Sequence, residues 1–192
     1  NGDIGAILVN HMAGIPCDLS RYRDTVARHR LFVIEDCAQS FGAAHRGGRP
    51  VGTRGNFSFF SLAAGKGLTM YEGGVLVCNK PAFVEPVQKS LLRLVKKNRD
   101  MELRRILELF GYAVFYRPRL FWFVFTLPRL YWERRGNDIK ALREDFSLNF
   151  PVHAVSGFRK AVAHRAVPRV AAALESQRAK AAYYADQLAG LA

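Results

Sequence analysis

The stretch Leu31-Phe32-Val33-Ile34-Glu35-Asp36 decides the fold of this chain. Four consecutive apolar residues end abruptly in two acids, and a run that is apolar on both faces is typical of a parallel strand covered by helices on both sides. Upstream, residues 6–9 form a second short apolar run, and residues 19–30 carry apolar side chains at helical spacing after a capping candidate, Asp18 or Ser20. These segments predict a β-α-β unit with a right-handed crossover.

The whole chain divides into three segments, and the β-α-β unit belongs to the first. Residues 56–62 and 74–78 are further strand candidates after a glycine-rich loop, so residues 1–80 predict an α/β fold with a mostly parallel sheet flanked by helices. Residues 81–150 predict helices around an aromatic-rich centre, and residues 151–192 contain a long predicted helix. The helix candidates are residues 91–97, 101–109 and 162–191.

Composition excludes several classes of protein. The 192 residues are 49% hydrophobic and 23% charged, which suits a chain with a buried core and not a disordered one. The longest apolar run, residues 120–127, is far shorter than the roughly 20 residues that cross a membrane. Cys17, Cys37 and Cys78 form no CxxC pair, so we predict free thiols in the cytoplasm and no metal site. The chain starts without Met or a signal segment, and we interpret it as an internal fragment.

The net charge of +13 is unevenly distributed. Residues 1–80 carry a net charge of +3, and residues 81–192 carry +10. Within the second part, residues 110–132 combine ten aromatic side chains with three arginines. Two interpretations stay open: a helical hairpin packed on the core or on a partner subunit, which we favour, and a peripheral contact with the inner face of a membrane. The sequence has no nucleic-acid recognition motif, so no nucleic acid is predicted as a partner.

Asp36 and Lys66 are the strongest candidates for chemistry. Asp36 follows a predicted parallel strand, and ligands of such sheets bind outside the carboxyl ends of the strands. Lys66 stands between Gly65 and Gly67, where a backbone without side chains can approach a flat cofactor, and Ser61 lies five residues before it. Pyridoxal phosphate needs a lysine amine, a carboxylate beside its pyridine nitrogen, and hydroxyl and N–H groups around its phosphate.

Four short motifs follow one another through the first 74 residues. They read VNHMAGIPCD at residues 9–18, VIEDCAQSFGA at 33–43, VGTRGN at 51–56 and SLAAGKGLTMYEGG at 61–74. Their order and gaps resemble the DegT/StrS family of sugar-nucleotide aminotransferases, and the set is far more specific than any one motif. The resemblance covers residues 1 to about 80 well and residues 156–192 loosely.

The resemblance implies the central part of the large domain of a fold-type-I enzyme, with pyridoxal phosphate as its cofactor. Lys66 would bind the cofactor covalently and move the proton during catalysis. Asp36 would pair with the ring nitrogen, and Gln39 would reach the 3-oxygen of the ring. Ser61 would bind the phosphate, and Ala38 would pack against one face of the ring.

The resemblance also implies the reaction. An amino group would pass, from glutamate, to a nucleotide-linked keto sugar in cell-surface polysaccharide or amino-sugar biosynthesis, within a homodimer. Some relatives carry His at the lysine position and are dehydratases, so Lys66 favours transamination. In the same comparison, residues 151–192 would hold the interdomain helix and the start of a small domain.

Two weaker candidates and two alternatives complete the prediction. His11 follows a predicted strand and is either a substrate contact or, equally well, a structural histidine. Asn149 is the nearest match to a family asparagine that reaches the partner subunit's phosphate. The alternative functions are another fold-type-I enzyme, such as a desulfurase or decarboxylase, and a non-catalytic scaffold on a membrane surface.

Overall fold

The structure is a computed structural model that describes residues 4–136 and 152–191. These residues divide into two compact units. The first unit is Asn1–Leu91 with Gly157–Ala192, and the second is Leu92–Ser156. Among the described residues, 157–191 therefore belong with 4–91 in one unit, and residues 92–136 and 152–156 belong to the other.

A four-stranded sheet in the order β1-β2-β3-β4 forms the centre of the first unit. The strands are β1 (Ala6–Asn10), β2 (Phe32–Asp36), β3 (Phe57–Ser61) and β4 (Gly74–Cys78). The first three strands are parallel, and β4 is antiparallel to β3. The predicted α/β fold with a mostly parallel sheet is confirmed, and so are the four predicted strands, with β3 one residue shorter at each end.

The three parallel strands end at the same edge of the sheet. Asn10 lies opposite Asp36, and Asp36 lies opposite Phe59, two residues before Ser61. Because parallel strands present their carboxyl ends on one side, the loops that follow them are brought together at this edge. The sequence predicts that helices cover both faces of β2. The observed burial is uneven, since Phe32 at the start of the strand is exposed while Glu35 near its end is buried.

The crossover between β1 and β2 is helical, as predicted. A 3₁₀ turn (Leu19–Tyr22) continues as helix α1 (Arg23–His29). Asp18 caps the turn, because its Oδ1 accepts hydrogen bonds from the Ser20 N–H at 3.0 Å and the Ser20 hydroxyl at 2.7 Å. The helix ends at His29, and the left-handed φ of 51° at Arg30, which caps it, turns the chain toward β2.

In the part of the chain that the structure describes, four further helices follow the sheet. They are α2 (Val84–Leu94), α3 (Arg99–Phe115), α4 (Leu127–Glu133) and α5 (Gly157–Leu188). A π-helical segment (Trp122–Thr126) precedes α4, and the remaining 3₁₀ turns are Met12–Gly14, Pro81–Phe83 and Ala189–Leu191. Within residues 4–136 and 152–191, no helix combines the length with the hydrophobicity that crossing a bilayer requires.

The predicted bounds of α2 and α3 were wrong. The helix predicted from residue 91 begins at Val84, directly after the 3₁₀ turn that Pro81 opens, and it ends at Leu94. The side chain of Asn98 then caps α3 by accepting the Met101 N–H at 3.1 Å, which requires the backbone between the two helices to leave the helical conformation. Helix α3 continues past residue 109, its predicted end, and ends at Phe115, within the aromatic-rich residues 110–132.

Candidate active site

Lys66 lies in the hairpin loop that joins β3 to β4. The loop is closed by backbone hydrogen bonds, including one from the Leu62 N–H to the Gly73 carbonyl at 2.9 Å. The Thr69 hydroxyl donates to the Leu62 carbonyl at 3.2 Å and fixes the return of the chain. Gly65 has a φ of +83°, a left-handed conformation that disfavours side chains. The lysine is therefore held on a short loop whose shape is set by its own backbone.

A cleft of about 320 Å³ lies beside this loop. Four of the predicted cofactor residues line it together: Ala38 and Gln39 after β2, Ser61 at the end of β3, and Lys66. The volume falls in the range of roughly 300–1,000 Å³ that is usual for small-molecule sites. The remaining lining residues are Phe41, Gly65, Gly67, Leu68, Val170, Ala173, Leu174 and Gln177. The individual contacts of these side chains with a cofactor stay predictions.

Asp36 lies next to this cleft without lining it. It is the last residue of β2 and is partly buried, and its Oδ1 accepts the Ala38 N–H at 2.9 Å. This hydrogen bond fixes the carboxylate to the turn that carries Ala38 into the cleft wall. Gln39, the next residue in the wall, accepts the Ala13 N–H at 3.4 Å and so is also tied to the loop after β1.

Glu35 is fully buried and binds the loop that precedes β3. Its Oε1 accepts the N–H groups of Arg54 at 2.7 Å and Gly55 at 2.6 Å. Its Oε2 accepts the Gly52 N–H and lies 2.9 Å from His11 Nε2. Burial alone would raise the pKa of Glu35, but the hydrogen bonds, led by that from Gly55, together lower it. Glu35 is therefore a charged structural residue that holds this loop on β2.

His11 belongs to the same buried cluster. The Cys17 N–H donates to His11 Nδ1 at 2.9 Å, so the ring carries its proton on Nε2, which donates to Glu35. Both ring nitrogens are engaged and the side chain has no exposed surface. The buried ring and its two hydrogen bonds favour the structural alternative for His11, and a substrate contact stays a prediction.

The cluster also contains Cys37, whose sulfur could join His11 and Glu35 as a third metal ligand within 4.8 Å. Hydrogen bonds already occupy both ring nitrogens of His11 and both oxygens of Glu35. Burial, followed by the charge of Glu35, raises the pKa of the Cys37 thiol to about 11, so the thiolate that a metal needs is disfavoured. Hydrogen bonding is sufficient to account for the arrangement.

Helix α5 supplies a wall of the cleft that sequence reasoning missed. Its residues Val170, Ala173, Leu174 and Gln177 line the cleft. Val170 and Leu174 lie within the helix predicted at residues 162–191, but other large apolar residues of that helix are exposed: Val167, Tyr184 and Leu188. Apolar residues of α5 are therefore covered only along the part that meets the cleft, and the sequence does not show which part that is.

Two arginines of α5 fix the helix against this edge of the sheet. The buried guanidinium of Arg159 donates to the carbonyls of Met70 at 3.2 Å and Glu72 at 2.7 Å, in the second half of the loop that carries Lys66. Arg178 donates to the Gly42 carbonyl at 2.9 Å. A basic residue at a helical position gives no sequence signal for such contacts. The remaining candidate, Asn149, lies outside the described residues.

Comparison with known protein families matches residues 1–114, more than half of the chain, to the DegT/DnrJ/EryC1/StrS aminotransferase family. The chain belongs to this family. The matched range contains the lysine loop, the turn after β2 and the buried Glu35 cluster. The family predicted from the four motifs is therefore confirmed.

Relatives of this DegT/DnrJ/EryC1/StrS chain match it over limited stretches. It is 43% identical over 74 residues to a GDP-perosamine synthase of Escherichia coli O157:H7, covering 38% of this chain and 20% of that protein. It is 47% identical over 72 residues to an L-glutamine:scyllo-inosose aminotransferase of Streptomyces griseus, covering 38% and 17%. The crystal structure of the sugar aminotransferase CalS13 from Micromonospora echinospora aligns with 39% identity and a TM-score of 0.42, covering 50% and 27%. The chain thus spans about a fifth of the length of these curated relatives.

Proposed function

We propose that this chain is part of a pyridoxal-phosphate-dependent aminotransferase that transfers an amino group from glutamate to a nucleotide-linked keto sugar. The observation that carries the proposal is the convergence of Gln39, Ser61 and Lys66 on one cleft beside Asp36. Membership of an aminotransferase family supports the reaction type. A relative named as a GDP-perosamine synthase supports a nucleotide-linked acceptor.

The residues of the cleft fit the cofactor. When bound, pyridoxal phosphate supplies an electron-withdrawing ring that stabilises negative charge on the substrate carbon. The cleft offers the primary amine of Lys66 for covalent attachment and the Ser61 hydroxyl for the phosphate. Ala38 forms part of the wall with little bulk, where a flat ring can lie. The carboxylate that would face the ring nitrogen comes from Asp36.

Each residue then has a defined task. Lys66 takes and returns the proton at the substrate carbon. The space beside the two residues next to it is open, because a Cβ at Gly65 or Gly67 would meet no atom within 4 Å. Asp36, held by the Ala38 N–H, keeps the ring nitrogen protonated. Gln39 offers an amide to the 3-oxygen of the ring. Apolar side chains of α5 exclude water from one side of the cleft.

The test uses the purified protein incubated with pyridoxal phosphate and then with glutamate. Borohydride reduction followed by peptide mapping is expected to place the cofactor on Lys66, and 2-oxoglutarate is expected to form. Lys80, an exposed lysine outside the cleft, is the internal control and should stay unlabelled. A label spread over surface lysines, without 2-oxoglutarate, would contradict the proposal. Labelled Lys66 without 2-oxoglutarate would favour the desulfurase or decarboxylase alternative.

Three finer parts of the proposal concern assembly and location. We propose a homodimer, since the family resemblance implies that a partner subunit completes the phosphate site, and sedimentation velocity tests this. We propose a cytoplasmic location, which the three free cysteines support. We also propose a peripheral contact with the inner face of the membrane through residues 110–132.

A further inference from the structure

Helix α3 exposes a continuous apolar stripe. Leu103, Leu107 and Phe110 are 59%, 62% and 69% exposed, and they follow one another at intervals of four and three residues. This spacing places them on one face of the helix. Leu109, by contrast, is buried on another face, so the helix has a packed side and a separate exposed apolar side.

The chain after α3 also exposes large apolar side chains. We call residues 116–131 the aromatic segment. Its large exposed side chains are Tyr116, Trp122, Phe123, Phe125, Leu127, Leu130 and Tyr131. Contiguous exposed apolar surface of this kind on a folded protein marks a site of interaction. Tryptophan and tyrosine are also the residues enriched where a protein meets the interface of a bilayer.

Positive charge accompanies the exposed apolar residues. Residues 92–136 contain eleven Lys and Arg against four Asp and Glu, a net charge of +7. Arg117 and Arg119 lie in the turn at the start of the aromatic segment, and both are exposed. Within the described part of the chain neither lies in an ion pair, whereas Arg129 pairs with Glu133 at 2.6 Å. Arg135 lies over the Tyr131 ring, 4.5 Å from its centre.

We infer that the apolar stripe of α3 and the aromatic segment bind the interface of an anionic lipid bilayer. The inference rests on the peripheral contact proposed above, extends it to α3, and names the lipid class; it does not depend on amino transfer. The exposed apolar side chains enter the boundary between headgroups and acyl chains, and Arg117 and Arg119 contact anionic headgroups. The charge of this region selects an anionic membrane over a second, equally basic copy of the chain, because two such surfaces repel each other.

The experiment is flotation of the purified full-length protein with vesicles. The vesicles contain phosphatidylcholine either alone or with about one third phosphatidylglycerol. We expect the protein to float with the anionic vesicles, to stay behind with the neutral ones, and to be released as salt rises from about 0.1 M to about 0.5 M. Equal flotation with both vesicles, or none with either, would overturn the inference.

Matched variants locate the contact. Leu107→Ser/Phe110→Ser/Phe123→Ser should lower the partition coefficient at least about tenfold through lost apolar burial. Its control replaces three exposed residues of α5, Tyr183→Ser/Tyr184→Ser/Leu188→Ser, and should leave binding unchanged. All six side chains are exposed, so circular dichroism should show both variants folded.

A second pair of variants tests the charge. Arg117→Glu/Arg119→Glu should lower binding at least about tenfold, whereas the exposed control pair Arg46→Glu/Arg169→Glu should not. If instead the charge and apolar variants dissociate an oligomer in sedimentation and flotation is absent, a second copy occupies the surface and the inference fails. Glutamate turnover without flotation would refute this inference alone. Flotation without turnover would refute the proposed activity alone.

Discussion

The buried cluster around Glu35 and the open cleft around Lys66 lie at the same edge of the sheet but are held in different ways. In the cluster, both carboxylate oxygens and both nitrogens of His11 have partners. In the cleft, Lys66 and Ser61 border an open volume of about 320 Å³. Glu35 and Asp36 are neighbours in the chain, yet one belongs to the cluster and the other lies beside the cleft.

The physical cause is the alternation of side chains along a strand. Successive residues of β2 point to opposite faces, so two adjacent acids cannot share one environment. The buried acid holds a loop, and its neighbour remains available for a ligand. The cluster should therefore govern stability and the cleft should govern chemistry, and the following experiments separate the two.

The largest effect is expected for Lys66→Ala. Removal of the amine eliminates both covalent attachment and proton transfer, so kcat/KM with glutamate should fall about 10⁴-fold or more. The melting temperature without cofactor should stay unchanged, because the side chain lies on an open cleft. Lys66→Arg, which retains the charge, should be equally inactive; restored turnover in that variant would refute the covalent role.

The next effect is on folding. Glu35→Ala should lower the free energy of unfolding by about 3 kcal/mol, measured by urea titration, because three backbone N–H groups and His11 Nε2 lose their buried acceptor. Asp18→Ala removes an exposed capping carboxylate and should lower the free energy of unfolding by much less. If both variants lose the same free energy of unfolding, the hydrogen bonds of the buried cluster stabilise the fold no more than the exposed cap does.

Asp36→Asn should lower activity and leave the free energy of unfolding nearly unchanged. The amide oxygen can still accept the Ala38 N–H, so stability should change little. A neutral side chain cannot keep the cofactor nitrogen protonated, and kcat should fall at least about a hundredfold. Steady-state kinetics beside urea unfolding provide the comparison. If the variant unfolds at a lower urea concentration but keeps its kcat, Asp36 stabilises the fold as Glu35 does and has no role in the chemistry of the cleft.

A smaller effect is the acid sensitivity of the cluster. The folded-state pKa of Glu35 lies below its ordinary value of 4.5, so its stabilisation is complete above about pH 4.5 and is lost as the pH falls through the folded pKa. Burial, followed by the charge of Arg54, lowers the pKa of His45 from 6.5. His45 therefore becomes protonated at a lower pH in the folded protein than in the unfolded chain, and stability also declines as the pH falls below 6.5.

Unfolding free energies measured from about pH 7 to about pH 3 check this pH dependence. In Glu35→Ala the component below pH 4.5 should disappear. A stability that rises toward acid pH would contradict the direction of both shifts.

The smallest effect concerns thiol reactivity. Cys37 is buried with a thiol pKa raised to about 11, whereas Cys17 and Cys78 are partly exposed. In the folded protein Cys37 should react with iodoacetamide at least about a hundredfold more slowly than the other two, as measured by mass spectrometry over time. In urea the three rates should converge.

Local patterns were enough to predict several parts of the structure. The β-α-β unit, the Asp18 cap and the loop that carries Lys66 each depend on contacts within a short stretch, which periodicity, capping residues and glycines indicate directly. The bounds of α2 and α3 failed because the Asn98 cap outweighed the apolar periodicity of residues 91–97. The cleft itself was anticipated only as an edge of the sheet, without its wall from α5.

By itself, the sequence determined the strand segments along the chain, the two acids at the end of β2 and the motifs that define the family, since these are properties of neighbouring residues. Only the tertiary structure decided that Glu35 and His11 pair in the interior and that α5 closes one side of the cleft. The reason is separation along the chain: His11 and Glu35 are 24 residues apart, and Gly42 and Arg178 are 136 residues apart. Contacts at such distances depend on how the whole chain packs, and no local pattern encodes them.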